Sequence, residues 1–218
     1  MTSRGSKQRN QALTVIDILV VIATLSLLAT VALARVTSPA ADAQRKMCVN
    51  NLKQIGLAFR IWAGDNGDRY PAQVPARLGG AQEAAARGNA AGIFQVMSNE
   101  LSSPKILVCP ADTNRFAADQ FATGFDNSHL SYFAGVDAND RYPQRLLSGD
   151  SNLGVDDTSV KSGLAELAAG APVSWTSERH VDQGNVGLAD GSVQQLDQAS
   201  LRQALQQSGL ATNRLAIP

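Results

Sequence analysis

The sequence predicts an α+β protein in which a long amino-terminal helix, with a transmembrane first half, packs on a small antiparallel sheet head with extensive loops. The first observation is a stretch from Ile18 to Ala34 that carries no charged side chain. The second is an amphipathic stretch that ends near Trp62. The third is a set of short apolar runs further on, bounded by Gly, Pro, Asp or Ser, which is typical of small strands.

Length and composition agree with a mostly globular chain. It has 218 residues, of which 44% are hydrophobic and 17% charged, and this length accommodates one well-cored domain plus an appendage. Lys and Arg together number 19, as do Asp and Glu. With no net charge and no basic patch interleaved with aromatic residues, no nucleic-acid partner is expected.

The first helix begins as a candidate membrane segment. Arg4, Lys7 and Arg9 precede the apolar stretch. A helix over residues 10–34 would reach roughly 37 Å, against about 30 Å for a hydrocarbon core. The basic residues should stay in the cytoplasm. The sequence therefore predicts a single-pass membrane protein in which the chain after Arg35 lies across the membrane.

A secretory signal is an alternative, because Ala32-Leu33-Ala34 offers a small-x-small cleavage site. Asp17 argues against it, since an acid within such a segment costs about 2.5 kcal/mol at a helix centre and usually marks function. An uncleaved signal anchor that tolerates Asp17 is a second alternative.

The helix continues as an amphipathic segment. Apolar residues recur at steps of four and three, which places them on one face of a helix: Cys48, Leu52, Ile55, Phe59 and Trp62. The opposite face has too few Lys and Arg for a membrane-surface helix, so this stripe should pack on a sheet. We expect one helix over residues 13–63, bent near Pro39 and ending near Gly64.

The sequence after the long helix predicts a series of short elements in the head. Residues 72–92 are rich in Ala and Gly and predict a surface excursion, followed by a short helix from Ile93 to Leu101. Four apolar runs, "KILVCP", "LSYFAG", "RLLSGD" and "PVSWTS", predict strands.

The clearest local signal is "NVGLADGSVQQL". Val186 and Leu188 alternate before Asp190-Gly191, which predicts a β-hairpin with a two-residue primed turn. Residues 198–208 should form a closing helix, with Asp197 at its start and Gly209 beyond its end.

The two cysteines, Cys48 and Cys109, lack CxxC or Cys/His spacing typical of zinc sites. The sequence leaves two alternatives: the cysteines form one disulfide, or both are free thiols. In an exported head, a bridge would close a loop of about 60 residues and stabilise the fold by about 4 kcal/mol.

The stretch "ALTVIDILVVIA" at residues 12–23 resembles the processing motif of type IV pilins and type II secretion pseudopilins. In that family a small residue precedes the cut, which is followed by Phe-Thr-Leu-Ile-Glu-Leu and an apolar run. Here Ala12 stands before the cut, Leu13 replaces Phe and Asp17 replaces Glu. The resemblance implies cleavage between Ala12 and Leu13 by a prepilin peptidase, and methylation of Leu13. It also implies an assembly role for Asp17, whose family counterpart pairs with the amino-terminal amine of a neighbouring subunit.

The carboxyl-terminal half extends the resemblance. His180 is followed by nine residues and then Asp190-Gly191, which is similar to the signature of a group of pseudopilin-like proteins named for that spacing. Other stretches resemble the same group, with residues 72–100 covered least: "CVNNLKQIGLAFRIWAGDNGDRYP", "LVCPAD", "SYFAGVDAND", "LLSGDSN" and "GNVGLADGSVQQ".

The resemblance implies a pilin-like fold in four segments. These are a basic leader (1–12), a transmembrane spine half (13–36), an amphipathic spine half (37–63) and a globular pseudopilin-like head (64–218). It implies a structural subunit, not an enzyme, that spans the inner (cytoplasmic) membrane once and has its head in the periplasm or outside the cell. The resemblance also implies that the subunit assembles with copies of itself or related pilins on an inner-membrane platform, into a secretion pseudopilus or a type IV pilus-like filament.

Two other functions are open. One is a membrane-anchored periplasmic protein that binds a ligand or calcium. The other is an exported enzyme using His180 as base and Asp190 as its orienting acid, although no GxSxG or HExxH motif accompanies the pair. The favoured interpretation of the pair is a turn aspartate and a histidine that ties a loop to the hairpin.

No cofactor is expected, with calcium the one candidate. Secretion pseudopilins that resemble this chain often bind calcium in the head, and two loops offer oxygen ligands: Asp65, Asn66 and Asp68 in one, and Asp150, Asn152, Asp156 and Asp157 in the other. Neither completes an EF-hand, so solvated turns are the favoured interpretation of both.

Overall fold

The computed structural model describes residues 15–156 and 158–218, with residues 27–40 described through their backbone alone. The chain divides into two compact units at Asp42, and the second unit begins at Ala43. The helices are α1 Val15–Asp65, α2 Gln82–Ala86, α3 Ala90–Gln95, α4 Ser98–Leu101 and α5 Gln198–Gln207. Short 3-10 helices span Pro71–Gln73, Ala76–Leu78, Pro104–Leu107 and Asn127–His129.

Nine strands make two antiparallel sheets within the described residues, so an α+β class with antiparallel sheets is confirmed. The strands are β1 Tyr132–Gly135, β2 Leu146–Asp150, β3 Leu153–Val155, β4 Thr158–Ser159, β5 Gly163–Ala168, β6 Val173–Trp175, β7 Gly184–Leu188, β8 Val193–Leu196 and β9 Thr212–Ile217. The larger sheet has the order β5-β9-β1-β2-β7-β8, and the smaller has the order β4-β3-β6.

Helix α1 runs without interruption through Pro39. Among the residues whose placement is described, none of the helices combines the length and the apolarity needed to cross a membrane. The first turns of α1, residues 15–26, expose every side chain. The side chains of residues 27–36, in the expected transmembrane segment, lie outside the description, as do residues 13 and 14.

The second half of α1 carries the predicted buried stripe. The five stripe residues are between 0% and 5% exposed: Cys48, Leu52, Ile55, Phe59 and Trp62. The Phe59 ring meets Tyr70 edge-on at 5.6 Å and Phe94 at 6.1 Å between centroids. The helix ends at Asp65, close to the predicted Gly64, where the backbone N–H groups of Asn66 and Asp68 both donate to the Ala63 carbonyl.

Both faces of the six-stranded sheet are buried. Successive strand residues point to opposite faces, so Tyr132 and Phe133 enter different cores. We call the α1 face the helix-side core; its members include Cys48, Leu52, Ile55, Phe59, Tyr132, Ala134, Leu147 and Ala216. The far core, under α5 and the smaller sheet, includes Phe133, Leu146, Trp175, Val186, Leu201, Leu205, Leu215 and Ile217.

Three of the four predicted strand runs are confirmed as β1, β2 and β6. "KILVCP" is wrong as a strand, because it forms the 3-10 helix Pro104–Leu107. Pro104 supplies the first helical φ, and the Ser103 hydroxyl accepts from the Lys105 N–H at 3.3 Å. Strand β9, which pairs with β5 and β1 inside the larger sheet, was not predicted.

Residues 72–92 are not the predicted surface excursion. Their small residues are buried in the helix-side core: Ala72, Val74, Ala81, Ala85, Ala90 and Ala91. Gly88, at φ +68, lies so close to β5 that a Cβ there would come within 2.1 Å of the Gly163 carbonyl carbon. Residues 76–79, 82, 83, 86, 87 and 89 are exposed, so the prediction is wrong for the small side chains that reach the core and not for the whole segment. The helix predicted over 93–101 is divided into α3 and α4.

The predicted hairpin is present as β7 and β8, but its turn differs from the prediction. The Leu188 N–H donates to the Ser192 carbonyl and the Gly191 N–H donates to the Leu188 carbonyl, both at 2.9 Å. The loop therefore has three residues, with Gly191 left-handed at φ +86. Neither Ala189 nor Asp190 has positive φ, so the primed turn is replaced by a type I turn with a glycine bulge.

Candidate functional site

A cluster of polar and sulfur-containing side chains lies inside the head between α1 and the strands. We call it the His180 cluster. Cys48 comes from α1 and Asp150 from the end of β2, and the remaining members come from loops: Cys109, Asp112, Arg179 and His180.

The Cys48–Cys109 disulfide is present, with 5.1 Å between the Cα atoms and 61 residues of sequence separation. Both cysteines are fully buried. The bridge links α1 to the loop that follows the 3-10 helix Pro104–Leu107. It pins the amphipathic half of α1 to the head.

His180 lies against this bridge. Its Nε2 is 3.4 Å from the Cys109 Sγ and 3.7 Å from the Asp150 Oδ2, and its side chain is 3% exposed. Burial lowers the pKa of His180, although the Asp150 carboxylate acts in the opposite direction. The imidazole is therefore held in its neutral form more strongly than in a free histidine.

The backbone around His180 is unusual. His180, Val181 and Asp182 all have positive φ, between +49° and +57°. Such backbone costs about 1–3 kcal/mol where the surroundings impose it, and a β-branched residue is a clear outlier there. The Arg45 guanidinium donates to the His180 carbonyl at 2.7 Å, so α1 helps to hold this segment.

Asp150 is the deepest member of the cluster. It is fully buried, and its Oδ2 accepts hydrogen bonds from the Asn185 backbone N–H at 2.7 Å and the Asn185 side-chain amide at 2.8 Å. Within the described ranges, its Oδ1 has no hydrogen-bond partner. Burial raises the pKa of Asp150, while the nearby Arg179 charge acts to lower it.

Arg179 and Asp112 complete the cluster as a buried ion pair at 3.2 Å. Arg179 also donates to the Ser131 carbonyl and the Ser151 hydroxyl, both at 2.8 Å. Ser131 in turn donates its hydroxyl to Asp112. Neither Arg179 nor Asp112 was predicted as functional. The sequence offered two signals: Arg179 directly precedes His180, and Asp112 follows Cys109 by three residues.

His180 and Asp190 do not form the pair that an enzyme would need. The carboxylate facing His180 is Asp150. Asp190 lies exposed in the hairpin loop, where its Oδ1 accepts from the Ser192 N–H at 2.8 Å. Asp190 lines a shallow hollow of about 430 Å³ with Arg60 and Tyr70, and His180 is not part of that lining.

The residues of the second calcium loop have different surroundings. Asp150 is in the core, and Asn152 donates its amide to the carbonyls of Thr176 and Arg179. Asp156 is exposed with φ +49. Asp157 lies outside the described residues.

In the first calcium loop, Asp65 ends α1, Asn66 donates its amide to the Trp62 carbonyl and Asp68 has φ +56. Among the His, Cys, Asp and Glu residues that the structure describes, the one group with metal-ligand spacing is Cys48, Cys109 and His180. Neither acidic loop supplies such a group, and calcium binding stays a prediction.

The predicted processing residues Ala12 and Leu13 lie outside the described residues, and Asp17 is exposed in the first turn of α1. No protein-family model, curated protein or solved structure matches the chain.

Proposed function

We propose that the chain is a structural subunit of the pilin and pseudopilin class. It is cut between Ala12 and Leu13, held in the inner membrane by its amino-terminal segment, and assembled into a secretion pseudopilus or a type IV pilus-like filament. The observation that carries the proposal is α1, which extends from the acid of the processing motif, Asp17, to the end of the buried stripe at Trp62.

The first turns of α1 supply a surface for assembly. Their large apolar side chains are 52% to 74% exposed: Val15, Ile16, Ile18, Leu19, Val20, Val21, Ile22 and Leu25. Burying such side chains against lipid or neighbouring helices is favourable by about 0.8 kcal/mol per methylene. Lateral packing of helices would thus provide filament cohesion.

Asp17 would set the register of that packing. An acid in an apolar environment is costly unless a charged partner meets it, so a pairing with a neighbour's amino terminus favours one stagger over all others. Asp is one methylene shorter than the Glu of the family motif, which requires a closer approach of the two backbones.

The amino terminus of the mature protein tests the processing step. Mass spectrometry of the membrane-associated chain should find a species that begins at methylated Leu13. A chain that begins at Met1, or one cut after Ala34, would contradict the proposal.

The Asp17→Ala variant tests assembly. It should still be processed and reach the membrane, but electron microscopy should find no filaments containing it. Asp42→Ala is the matched control, since Asp42 is an exposed acid of the same helix outside the motif. Normal filaments from Asp17→Ala would remove the role given to this acid.

A second candidate is the anchored ligand-binding protein, favoured by a polar pocket of about 250 Å³ beside the His180 cluster. Among its lining residues, Asn152 and Thr176 each have a buried oxygen without a hydrogen-bond partner in the described structure. Calcium is the first ligand to test, because calcium binds oxygen ligands and the side chains of Asn152 and Thr176 each offer one. If this candidate is correct, calcium should raise the midpoint of thermal unfolding, whereas a filament subunit without a calcium site would show no shift.

A further inference from the structure

Two neighbouring hollows lie beside the smaller sheet of the head. One is the polar pocket of about 250 Å³ described above, and the other has a volume of about 400 Å³. Ser159, Thr176 and Glu178 line both of them, so the hollows are adjacent. We call the pair the hydroxyl groove. Together the hollows reach the range of small-molecule sites, which is about 300–1,000 Å³.

The groove is lined mainly by side chains that form hydrogen bonds. Five of its residues carry a hydroxyl group: Ser151, Ser159, Ser174, Thr176 and Ser177. Amide groups come from Asn114, Asn152 and Gln198. Because polar groups are buried favourably only when they are hydrogen-bonded, such a lining suits a ligand that presents many polar groups of its own.

Three buried polar atoms of the groove have no hydrogen-bond partner among the residues that the structure describes: Asn152 Oδ1, Trp175 Nε1 and Thr176 Oγ1. Asn152 is 3% exposed and Trp175 is 2% exposed. Buried donors and acceptors are normally paired, because an unpaired one loses its hydrogen bonds to water without replacement. A ligand that pairs with these atoms would therefore be favoured.

Strand pairing and close packing hold these residues in place. Leu153 of β3 is the register partner of Trp175 in β6. Next to this pair, Asn152 donates its amide to the carbonyls of Thr176 at 3.0 Å and Arg179 at 3.4 Å. These two bonds fix the amide, so its oxygen remains as an acceptor. Gly184 packs on the Trp175 ring, since a Cβ there would come within 2.5 Å of three indole carbons.

The two guanidinium groups of the groove already have oxygen partners. Arg179 pairs with Asp112 at 3.2 Å, and Arg115 donates to the Pro218 oxygen at 3.3 Å. Carboxylates also line the groove: Asp112, Glu178 and Asp182. An anion would meet these carboxylates and a cation would meet the guanidinium groups, so a neutral ligand is favoured.

The unpaired atoms include both a donor and an acceptor. The indole Nε1 of Trp175 can only donate, and the Asn152 Oδ1 can only accept. A metal ion offers nothing to a donor. A hydroxyl group both donates and accepts, so a ligand with several adjacent hydroxyl groups can pair with all three atoms.

An extended peptide fits the groove less well. Peptides often bind by adding a strand to a sheet edge, and β6 is an edge of the smaller sheet. At that edge the Arg202 Nε donates to the Val173 carbonyl at 2.8 Å. A peptide strand would have to break this hydrogen bond.

We propose that the hydroxyl groove binds a neutral carbohydrate, whose hydroxyl groups pair with Asn152, Trp175 and Thr176. The site lies in the head and goes beyond the filament function, because it requires neither cleavage after Ala12 nor Asp17. It also gives the second candidate function a class of ligand other than calcium. The calcium titration and the test below can therefore fail independently.

The test uses the full chain in a zwitterionic detergent that has no sugar headgroup. The chain has two tryptophans, so its proton–nitrogen NMR spectrum should contain two indole signals, and Trp62→Phe identifies the signal of Trp175. The probes are the neutral oligosaccharides maltotetraose, cellotetraose and chitotetraose. At least one should shift the Trp175 signal to saturation and leave the signal of Trp62, in the helix-side core, unchanged.

Thr176→Val tests the contact of one hydroxyl group. It keeps the branched shape of the side chain, and it should weaken binding of the active probe by about tenfold, the effect of about one lost hydrogen bond. Thr158→Val is the matched control, because Thr158 is exposed in β4 and is outside the lining of both hollows. It should bind the probe as the unchanged chain does.

The proposal is overturned if none of the three oligosaccharides shifts the Trp175 signal of the unchanged chain, a result that does not depend on the folding of Thr176→Val. It is also overturned if Thr176→Val binds the probe as tightly as the unchanged chain does. A shift with tetraglycine and with none of the sugars would overturn it as well, because the groove would then bind a peptide.

Discussion

The helix-side core and the far core share the same strands but are stabilised differently. On the helix side, α1 is cross-linked through Cys48 and lies against the polar His180 cluster. The described members of the far core include no cysteine, and the buried side chains of Asn213 and Ser208 both donate to the Leu205 carbonyl there. One face of the sheet is therefore held by a disulfide and a buried ion pair, and the other mainly by apolar packing with side-chain hydrogen bonds to backbone carbonyls.

The largest difference between the faces should appear when the cross-link is removed. Replacing both Cys48 and Cys109 by Ser should lower the free energy of unfolding by about 4 kcal/mol, because the unfolded chain regains the freedom of a long loop. Urea unfolding of the full chain, followed by far-ultraviolet circular dichroism, measures this loss.

The double alanine variant at the same positions is the control for burying two hydroxyl groups. If both double variants lose less than about 1 kcal/mol, the link between α1 and the sheet depends on packing rather than on the bridge. The two cores would then be alike in what holds them.

Cavities should affect the two cores equally. Leu52 on the helix side is 1% exposed, and Leu205 in the far core is 0% exposed. Either one changed to Ala should cost about 3 kcal/mol, since a large buried side chain leaves a cavity that closes only partly. Leu57→Ala, at a position 58% exposed on α1, is the matched control and should change stability by less than about 0.5 kcal/mol.

Equal losses at Leu52 and Leu205 would show that the bridge acts on the unfolded chain and leaves native packing on both sides similar. A loss at Leu205 below about 1 kcal/mol would contradict the expectation that packing in the far core stabilises the fold as much as packing in the helix-side core. In urea unfolding, a changed midpoint with an unchanged slope shows a change in stability. A changed slope indicates a change in the unfolded state instead.

The polar side should also give the head a pH dependence that the far core lacks. Burial lowers the pKa of His180, so the unfolded chain binds a proton at a higher pH than the folded chain does. Stability contributed by the neutral imidazole is present above the ordinary histidine pKa of about 6.5 and decreases as the pH falls below it.

His180 should therefore contribute a decline in the stability measured by urea unfolding between pH 8 and pH 5, and His180→Gln should remove that contribution. Asp150 acts in the opposite direction, because burial raises its pKa and the folded chain takes up its proton at a higher pH than the unfolded chain does. His129→Gln, at a partly exposed position in the loop before β1, should keep the full decline. If the free energy of unfolding changed with pH in the same way for the unchanged chain and for His180→Gln, His180 could not be a buried neutral histidine.

The sequence predicted the helix side better than the far side. Period 3.6 in the α1 stripe follows from burial of one helix face, and it predicted each of the five stripe residues correctly. Strands buried on both faces lose the period-2 signal, so β9 was missed, although Leu215, Ala216 and Ile217 alternate between the two cores. Close packing of alanines and glycines in residues 72–92 likewise leaves no periodicity to detect.

The His180 cluster was only partly predictable. The cysteine pair was one of two alternatives that the sequence left open, and His180 was noted through its spacing to Asp190. That spacing pointed to the wrong carboxylate, because Asp150 reaches His180 through the pairing of β2 with β7. Contacts made by sheet pairing depend on strand register, which short strands with long connections do not reveal.

The smallest effects should come from two glycines, one beside each core. Gly191, in the hairpin loop near α1, has φ +86, and Gly209, after α5, has φ +73. Each changed to Ala should cost about 1 kcal/mol, because L-residues resist left-handed backbone. A Cβ at Gly209 would meet no neighbour within 4 Å, and one at Gly191 would meet only the flexible end of Arg60, so the backbone term should dominate at both.

Gly170→Ala is the matched control, since Gly170 is open and has no positive φ; it should be neutral or slightly stabilising. Thermal unfolding of the three variants measures the differences. A much larger loss at Gly191 than at Gly209 would mean that the hairpin loop fits more tightly against α1 than its contacts indicate.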